Sequence, residues 1–304
     1  MVFFIKFNEF FMPELPEVET IRLDLEKTLV AKKIVSLQIL SANTVKHTKS
    51  FFDKKLLGFN FSDISRRGKL LIFKISGADN FLLIHLKMTG QLIYLEGKNK
   101  VAGGHSLKEG SFLEAVGGDL PNKHTRVVFN FEDNSRLFFN DLRKFGYLKI
   151  IGGEELIKIL AENYGPEPLE KRLDEKYLEQ VFKNRLRPIK NLLLDQKIIA
   201  GLGNIYVDEA LFLAGILPAR SAKSLKNLEI TKLVKAIKNV IALALKKRGT
   251  TFSDYLDSKG RKGNFSKFLK VYGRQDENCL NCQREIIKIK LGGRGTHYCS
   301  KCQK

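Results

Sequence analysis

The sequence predicts an α+β protein, in which a mostly antiparallel β domain with a leading helix precedes a helical half and a C-terminal metal-binding hairpin. Apolar residues recur at helical spacing near the start and again in the second half, and short apolar runs fill the stretch between. All four cysteines lie in the last 26 residues. A folded chain of 304 residues hides roughly 75% of its extended surface, so a large core needs no disulfides.

The first half is predicted to be a β domain that begins with a helix. Apolar residues recur at spacings of three and four from Val18 to Leu29, which predicts a helix over residues 16–33. Pro16 suits the first turn of that helix, where a backbone N–H has no partner to lose. Six glycines and little periodicity predict a long surface loop over residues 97–122. Strand-like runs lie at residues 34–40, 69–75, 81–88, 91–95, 126–131, 136–140 and 146–151.

The second half is predicted to be helical. A Gly-Pro-Glu-Pro run at residues 165–168 breaks the chain near a domain boundary. Helical periodicity then returns at residues 174–182, 188–195, 205–214 and 224–247.

The cysteines form the pattern C-x2-C, sixteen residues, C-x2-C, as Cys279, Cys282, Cys299 and Cys302. Two thiolates separated by two residues on a tight turn point at one ion, and two such turns complete a tetrahedral zinc site. Such a site has no open coordination position, so the predicted Zn²⁺ is structural rather than catalytic. Disulfides or free thiols are the alternative, but a disulfide scaffold spreads its cysteines along the chain.

The charge balance favours a polyanionic partner. The chain has 53 Lys or Arg against 33 Asp or Glu, a net charge of +20, which suits nucleic acid first and anionic lipid second. Residues 259–304 alone carry twelve Lys or Arg and three Asp or Glu. No uncharged apolar run is long enough to span a membrane, and residues 1–11 lack the features of a signal peptide.

Six motifs follow one another along the chain: MPELPEVE at residues 12–19, RRGK at 66–69, HLKMTG at 85–90, NDLRKFG at 140–146, GLGNIY at 201–206 and the cysteine ribbon. Together they resemble the formamidopyrimidine-DNA glycosylase family, bifunctional enzymes that remove oxidised purines from DNA. The resemblance runs from residue 12 to residue 304. The endonuclease VIII type, which acts mainly on oxidised pyrimidines, is the nearest alternative, and Leu15 and Met88 favour the purine branch.

The resemblance implies a domain plan. Residues 13–150 are expected to form an N-terminal antiparallel β-sandwich with its leading helix, and residues 151–172 a linker. A helix–two-turn–helix DNA-binding domain is expected at 173–265, with a lesion-capping region near 249–262, and a zinc finger at 266–304. Residues 1–12 are expected to be an extension and initiator Met that the functional protein lacks. The family also implies a cytoplasmic, bacterial-type monomer with one structural Zn²⁺, bound to damaged double-stranded DNA and not to membranes.

The resemblance also assigns roles to residues. It implies a Pro13 amine nucleophile, Glu14 as general acid/base, Lys69 in β-elimination and Arg294 in δ-elimination. Three side chains are expected to fill the space that a flipped nucleotide leaves: Met88, Arg143 and Phe145. Four more are expected at the DNA backbone: His124, Arg185, Lys190 and Asn204. Without the resemblance, the single charges would be interpreted as solvated and Met88 and Phe145 as core residues.

One feature departs from the family pattern. If residues 1–11 and Met12 stay attached, the Pro13 nitrogen is a tertiary amide and cannot act as a nucleophile. A start codon at Met12 or proteolytic trimming would free it, and the position of Met12 favours the first. Retention would instead leave a non-catalytic protein that binds damaged DNA. A zinc-ribbon nucleic-acid-binding factor without lesion specificity is the third hypothesis.

The charge distribution predicts that DNA binding weakens steeply with salt. Each phosphate that the protein neutralises contributes about 0.9 log units of affinity per log unit of salt. Fluorescence anisotropy of a labelled duplex, titrated between low and high salt, measures the slope. A slope near zero would contradict an electrostatic role for the excess Lys and Arg.

Overall fold

The computed structural model describes residues 12–107, 111–250 and 264–304. The extension at 1–11 and most of the expected lesion-capping region lie outside the described residues. The chain divides into two compact units. The β unit contains the described residues up to 161 together with 247–250 and 264, and the helical unit contains 162–246 and 265–304.

Two antiparallel sheets and four helices form the β unit. The five-stranded sheet has the order β1-β7-β8-β5-β6, and the four-stranded sheet has the order β2-β3-β4-β9. The helices are α1 (Leu15–Leu29), α2 (Lys49–Leu56), α3 (Phe112–Val116) and α4 (Gly153–Asn163). The strands are β1 (Ile34–Ile39), β2 (Phe61–Arg67), β3 (Leu70–Ile75), β4 (Asn80–His85), β5 (Gly90–Glu96), β6 (Asn99–Gly104), β7 (Thr125–Phe131), β8 (Arg136–Asp141) and β9 (Tyr147–Gly152).

The two sheets share one apolar core, which makes the β unit a sandwich. Phe73 of β3 and Phe129 of β7 are both fully buried, and each lies against the ring of Phe61 on β2. Tyr94 and Phe139 belong to the same cluster. Burial of large side chains contributes roughly 1.5–3 kcal/mol each, so this core supplies most of the stability of the unit.

Helix α1 packs its apolar stripe onto β2, β3 and β6. It ends at Leu29, four residues before the predicted end, because Val30 is extended and Ala31 takes a φ of 70°. The predicted order of one leading helix followed by antiparallel strands is confirmed.

The predicted loop at 97–122 is wrong in part. Strand β6 pairs with β5 through Val101 and Ala102, which are buried, and α3 follows behind its Ser111 cap. Pairing with a neighbouring strand thus overrides the glycines in that stretch. Strand β2 and helices α2 and α4 were also not predicted. Helix α4 lies within the expected linker at 151–172. Strand β4 ends at His85 and not at residue 88, because a tight turn begins at Leu86.

The helical unit confirms the second half of the prediction. It contains α5 (Glu175–Phe182), α6 (Ile189–Leu193), α7 (Asn204–Ala214), α8 (Asn227–Lys246) and the hairpin of β10 (Ile287–Leu291) and β11 (Arg294–Tyr298). Eight of the eleven residues of α7 are buried, so this helix is the centre of the unit, with α8 and β11 packed on it. Among the described helices, none is long and apolar enough to cross a membrane.

Candidate active site

The N-terminus of α1 presents Pro13 and Glu14, both buried. Glu14 caps the helix in a reciprocal box with Glu17, whose Oε2 accepts the Glu14 N–H at 3.0 Å. The other oxygen of Glu17 accepts the backbone N–H and the hydroxyl of Thr250 at 2.7 and 3.0 Å. One carboxylate therefore fixes the peptide that follows Pro13 and the backbone at Thr250.

Lys69 and Gly68 form the tight turn between β2 and β3, and Lys69 is only 6% exposed. The turn is tied to α1 by Arg66, which donates to Glu19 at 2.8 Å and to the Gly68 carbonyl at 2.9 Å. Burial raises the pKa of Glu19, but hydrogen bonds and charge from Arg22 and Arg66 outweigh burial and lower it. Arg66 thus stabilises the hairpin that carries Lys69. Lys69 itself is buried and is not a solvated surface charge.

Met88 lies in the turn between β4 and β5. The Gly90 N–H donates to the Leu86 carbonyl at 2.8 Å, and the Lys87 N–H donates to Nδ1 of His85 at 3.0 Å. A Cβ at Gly90 would lie 2.4 Å from the Leu86 oxygen, so the turn requires glycine there. His85 was missed by the sequence interpretation, although it opens the HLKMTG motif.

Arg143 and Phe145 lie in the loop between β8 and β9 and are both exposed. The Arg143 guanidinium donates to the Met88 sulfur at 3.1 Å and lies 4.6 Å from the centre of the Phe145 ring. The structure thus brings together the three side chains predicted to fill the space of a flipped nucleotide. Phe145 is 54% exposed, so it is not a core residue, and Met88 is half-buried.

His124 lies just before β7, and its carbonyl accepts the Asp141 N–H at 2.9 Å. Its backbone N–H donates to the Asn122 side chain at 2.9 Å, and its ring is half-buried. Burial, followed by the charges of Lys123 and Arg126, lowers the pKa of His124. A neutral imidazole is therefore favoured near neutral pH.

In the helical unit, Arg294 is exposed at the tip of the β10–β11 hairpin. The turn consists of Gly292 and Gly293, with φ of 57° and 79°, a conformation that favours glycine. A Cβ at Gly292 would lie 2.6 Å from the side chain of Asn191. Arg185 is also exposed, in the loop that follows α5.

Lys190 is placed differently from the other basic residues. Its side chain is fully buried, and its ammonium lies 2.6 Å from Asp208 and donates to the Gly295 carbonyl at 2.9 Å. The Asn204 amide donates to the same carbonyl at 2.9 Å. This burial argues against the predicted contact between Lys190 and the DNA backbone, and it favours a role beneath the hairpin that presents Arg294.

Two neighbouring acids on α7 hold the finger and were missed from sequence. Asp208 accepts the His297 N–H at 2.9 Å in addition to pairing with Lys190. Glu209 accepts the backbone N–H groups of residues 270–272 at 2.8 to 2.9 Å. Burial raises the pKa of Glu209 to about 7. Two consecutive acids in an otherwise apolar helix were the signal that could have identified them.

The four cysteines meet the requirements of a zinc site. Their Sγ atoms lie within 4.8 Å of one another, with Cys279 and Cys302 at 3.8 Å and Cys282 and Cys299 at 3.4 Å. Zinc–sulfur bonds of 2.3 Å in a tetrahedron place sulfurs about 3.8 Å apart. None of the four is in a disulfide. The predicted structural Zn²⁺ is therefore confirmed.

The turn beside Met88 predicts a pH effect on stability. Burial, and then the charges of Lys87 and Lys69, lowers the pKa of His85 to about 3. This pKa is below the value of about 6.5 that His85 has in the unfolded chain. The contribution of neutral His85 to the free energy of unfolding is therefore fully present above about pH 6.5 and is lost as the pH falls towards 3. Between pH 7 and pH 5 we expect the wild type to lose about 1–2 kcal/mol more than His85→Asn.

Urea unfolding at several pH values measures this difference. Asn can accept the Lys87 N–H without titrating, and the comparison at pH 8 gives the structural cost of the substitution. Parallel curves for the two proteins would contradict the lowered pKa.

Comparison with known families matches three domains along the chain. The formamidopyrimidine-DNA glycosylase N-terminal domain matches residues 12–148, its H2TH domain matches 164–255, and a zinc finger found in FPG and IleRS matches 276–304. The three cover both units, and the first begins at Met12.

Relatives and solved structures agree along nearly the whole chain. The formamidopyrimidine-DNA glycosylases of Desulforamulus reducens and Enterococcus faecalis are each 40% identical, over 96% of this chain and 99% and 97% of theirs. The Lactococcus lactis enzyme has been solved with AP-site DNA and with N7-benzyl-Fapy-dG DNA. Both structures match at a TM-score of 0.82 and 36% identity, over 96% of this chain and 99% and 100% of theirs. The chain therefore belongs to the formamidopyrimidine-DNA glycosylase family.

Proposed function

We infer that the protein is a base-excision repair DNA glycosylase with AP-lyase activity, which removes oxidised purines such as 8-oxoguanine and formamidopyrimidines from duplex DNA. The observation that carries this inference is the pairing of Pro13 with a buried, helix-capping Glu14, in a unit that also presents Met88, Arg143 and Phe145 together. The first pair supplies the chemistry and the trio supplies access to the damaged nucleotide.

The Pro13 amine is the nucleophile. An α-amino group has a pKa of about 7.7–8.0, so a useful fraction is neutral near pH 7. Its lone pair attacks the sugar C1′, the bond from C1′ to the base breaks, and the base leaves with the bonding electrons. The proline nitrogen then loses its proton. The C1′–O4′ bond breaks with its electrons going to O4′, which takes a proton from Glu14, and the nitrogen lone pair forms an iminium with C1′. Because the proline nitrogen is secondary, this iminium has no N–H to lose. It stays cationic and accepts electrons when the C2′ proton departs and the 3′ phosphate leaves.

The remaining site residues assist these proton and phosphate steps. Glu14 exchanges protons with the sugar as general acid/base. Lys69, held beside the α1 terminus by its hairpin, contacts phosphate and assists β-elimination. Arg294 binds the phosphates beside the lesion and assists δ-elimination, which releases the 5′ phosphate.

The trio and the backbone contacts bring the damaged nucleotide to Pro13. Met88 and Phe145 wedge between bases once the nucleotide has left the stack, and Arg143 bonds the orphaned base opposite. His124, Arg185 and the Asn204 amide at the N-terminus of α7 contact the DNA backbone. The Lactococcus lactis relatives bind AP-site and Fapy-dG DNA, the classes of lesion proposed for this chain.

The proposed chemistry requires a free Pro13 nitrogen, so the functional protein begins at Pro13 after removal of Met12. The N-terminal family domain begins at residue 12, which supports this start. We further place the protein in the cytoplasm, bound to the nucleoid as a monomer.

Borohydride trapping tests the nucleophile. Protein begun at Met12 is expected to form a reducible covalent adduct and to nick duplexes that carry oxidised guanine or an abasic site. Protein that retains residues 1–11 is expected to bind the same duplexes without an adduct, because its Pro13 nitrogen is an amide. Denaturing gels measure the adduct, and mass spectrometry confirms each N-terminus.

Three outcomes would contradict parts of this proposal. Equal trapping by both forms, with the extension intact, would rule out Pro13. Faster nicking at an oxidised pyrimidine than at oxidised guanine would favour the endonuclease VIII type. Binding without nicking by the Met12-start form would leave a damage-binding protein.

Removal of zinc is expected to weaken DNA binding, because the hairpin that presents Arg294 is closed by the four thiolates. Cys299→Ser should lose the single zinc and at least about tenfold in affinity for lesion DNA, the scale of one charge-assisted contact. A metal-indicator assay and anisotropy measure the two quantities. Ser300→Ala, at the exposed neighbouring position, is the matched control. Full affinity in zinc-free Cys299→Ser would contradict the role of the hairpin.

A further inference from the structure

We propose that Asp141 and Thr89 are positioning residues that hold Met88, Arg143 and Phe145 as one preassembled set before DNA binds. This inference rests on the proposed function of those three side chains. It concerns two buried residues, and it assigns them control over the rate at which a damaged nucleotide is displaced.

Asp141 is 1% exposed, and both of its carboxylate oxygens are used. Oδ1 accepts the Thr89 hydroxyl at 2.5 Å and the Arg143 N–H at 3.2 Å. Oδ2 accepts the Gly146 N–H at 2.7 Å. One carboxylate therefore closes the loop of residues 142–145 at its two ends, and Arg143 and Phe145 lie within that loop.

Thr89 joins this loop to the turn that carries Met88. Its hydroxyl donates to Asp141 and accepts the Arg143 N–H at 2.9 Å, and the residue is 2% exposed. Thr89 directly follows Met88, and the next residue, Gly90, is the cross-strand partner of Asp141 between β5 and β8. The strand register thus places one threonine where it bonds both loops.

Gly90 and Gly146, which end the two loops, lie so close to neighbouring atoms that neither position can hold a side chain. A Cβ at Gly146 would lie 2.7 Å from the Phe139 ring, 3.0 Å from the His85 carbonyl and 3.1 Å from Asp141 Oδ2. The Gly90 turn is similarly closed against the Leu86 backbone. Both loops are therefore tightly packed at their bases, while Arg143 and Phe145 are exposed and Met88 is half-buried.

The three side chains Met88, Arg143 and Phe145 therefore lose their conformational entropy when the protein folds and not when it binds DNA. Arg143 contacts both the Met88 sulfur and the Phe145 ring. Fixing side chains before association removes an entropy cost that would otherwise reduce the rate of insertion. Loss of the Thr89 hydroxyl should separate the two loops without removing any residue that contacts DNA.

The test uses Thr89→Val, which removes the hydroxyl, and Thr89→Ser, which keeps it. In single-turnover excision of oxidised guanine by Met12-start protein, Thr89→Val should be about tenfold slower, the effect of losing a hydrogen bond to a charged group. Fluorescence of 2-aminopurine placed beside the lesion should report slower unstacking by the same factor. Thr89→Ser should restore both rates. Thr28→Val is the matched control, since among the described residues the Thr28 hydroxyl bonds only the α1 backbone at Asp24 and Leu25.

A second set of variants, made in a protein that lacks the three side chains, distinguishes the positioning role from a merely structural role. In Met88→Ala/Arg143→Ala/Phe145→Ala protein, Thr89→Val should add no further loss, because nothing remains to be positioned. Asp141→Asn provides a second variant and should show the same lack of additivity, since its amide nitrogen cannot satisfy all three donors.

The outcomes separate the two levels of the hypothesis. If the triple alanine protein excises as fast as the wild type, the proposed function of the trio fails. If the triple variant is slow but Thr89→Val matches the wild type, only the positioning role fails. An equal slowing by Thr89→Val in both backgrounds would also overturn it.

Discussion

The attachment of the first turn of α1 is the constraint on which the rest of the site depends. Pro13 lies two residues before the first residue of α1, whose apolar stripe is buried in the sandwich, and Glu17 accepts the N–H of the peptide that follows Pro13. A nucleophile on a flexible terminus would sample many positions, and each lost ångström of alignment reduces the rate. Here the terminus is held by a capping box, by the core beneath Val18 and Ile21, and by the bond from Thr250 to Glu17.

The same arrangement occurs in both units: a buried carboxylate organises backbone that presents side chains proposed to contact DNA. In the β unit, Asp141 gathers the loops that carry Met88 and Arg143. In the helical unit, Asp208 pairs with buried Lys190, which bonds the carbonyl next to Arg294. Burial of a charge costs free energy unless its hydrogen-bonding atoms all have partners. A buried carboxylate therefore favours the one backbone geometry that satisfies its oxygens. This is why several site-supporting residues are acids in a protein with a net charge of +20.

Much of the fold was predictable, because periodicity reports which faces are buried. The leading helix, most of the antiparallel strands and the zinc cluster followed from spacing alone, but strand β2 was missed. Strand β6 did not follow from spacing either, because its glycines hide an edge strand that only pairing with β5 reveals. Helix α4 was also missed, although its apolar residues Leu156, Ile159 and Leu160 recur at helical spacing; none of its residues is buried. Prediction of the site residues required the family resemblance. The proposed supporting role of Asp141 and Thr89 could not be predicted, because it depends on the register between β5 and β8.

Mapping the trapped adduct is the most direct measurement of the central claim. Protein begun at Met12 is reduced with borohydride on abasic-site DNA, digested with a protease, and the peptide that carries the sugar remnant is sequenced by tandem mass spectrometry. The remnant is expected on the nitrogen of Pro13, at the start of the N-terminal peptide. A remnant on Lys69 or on any other lysine would contradict the assignment of Pro13 as the nucleophile.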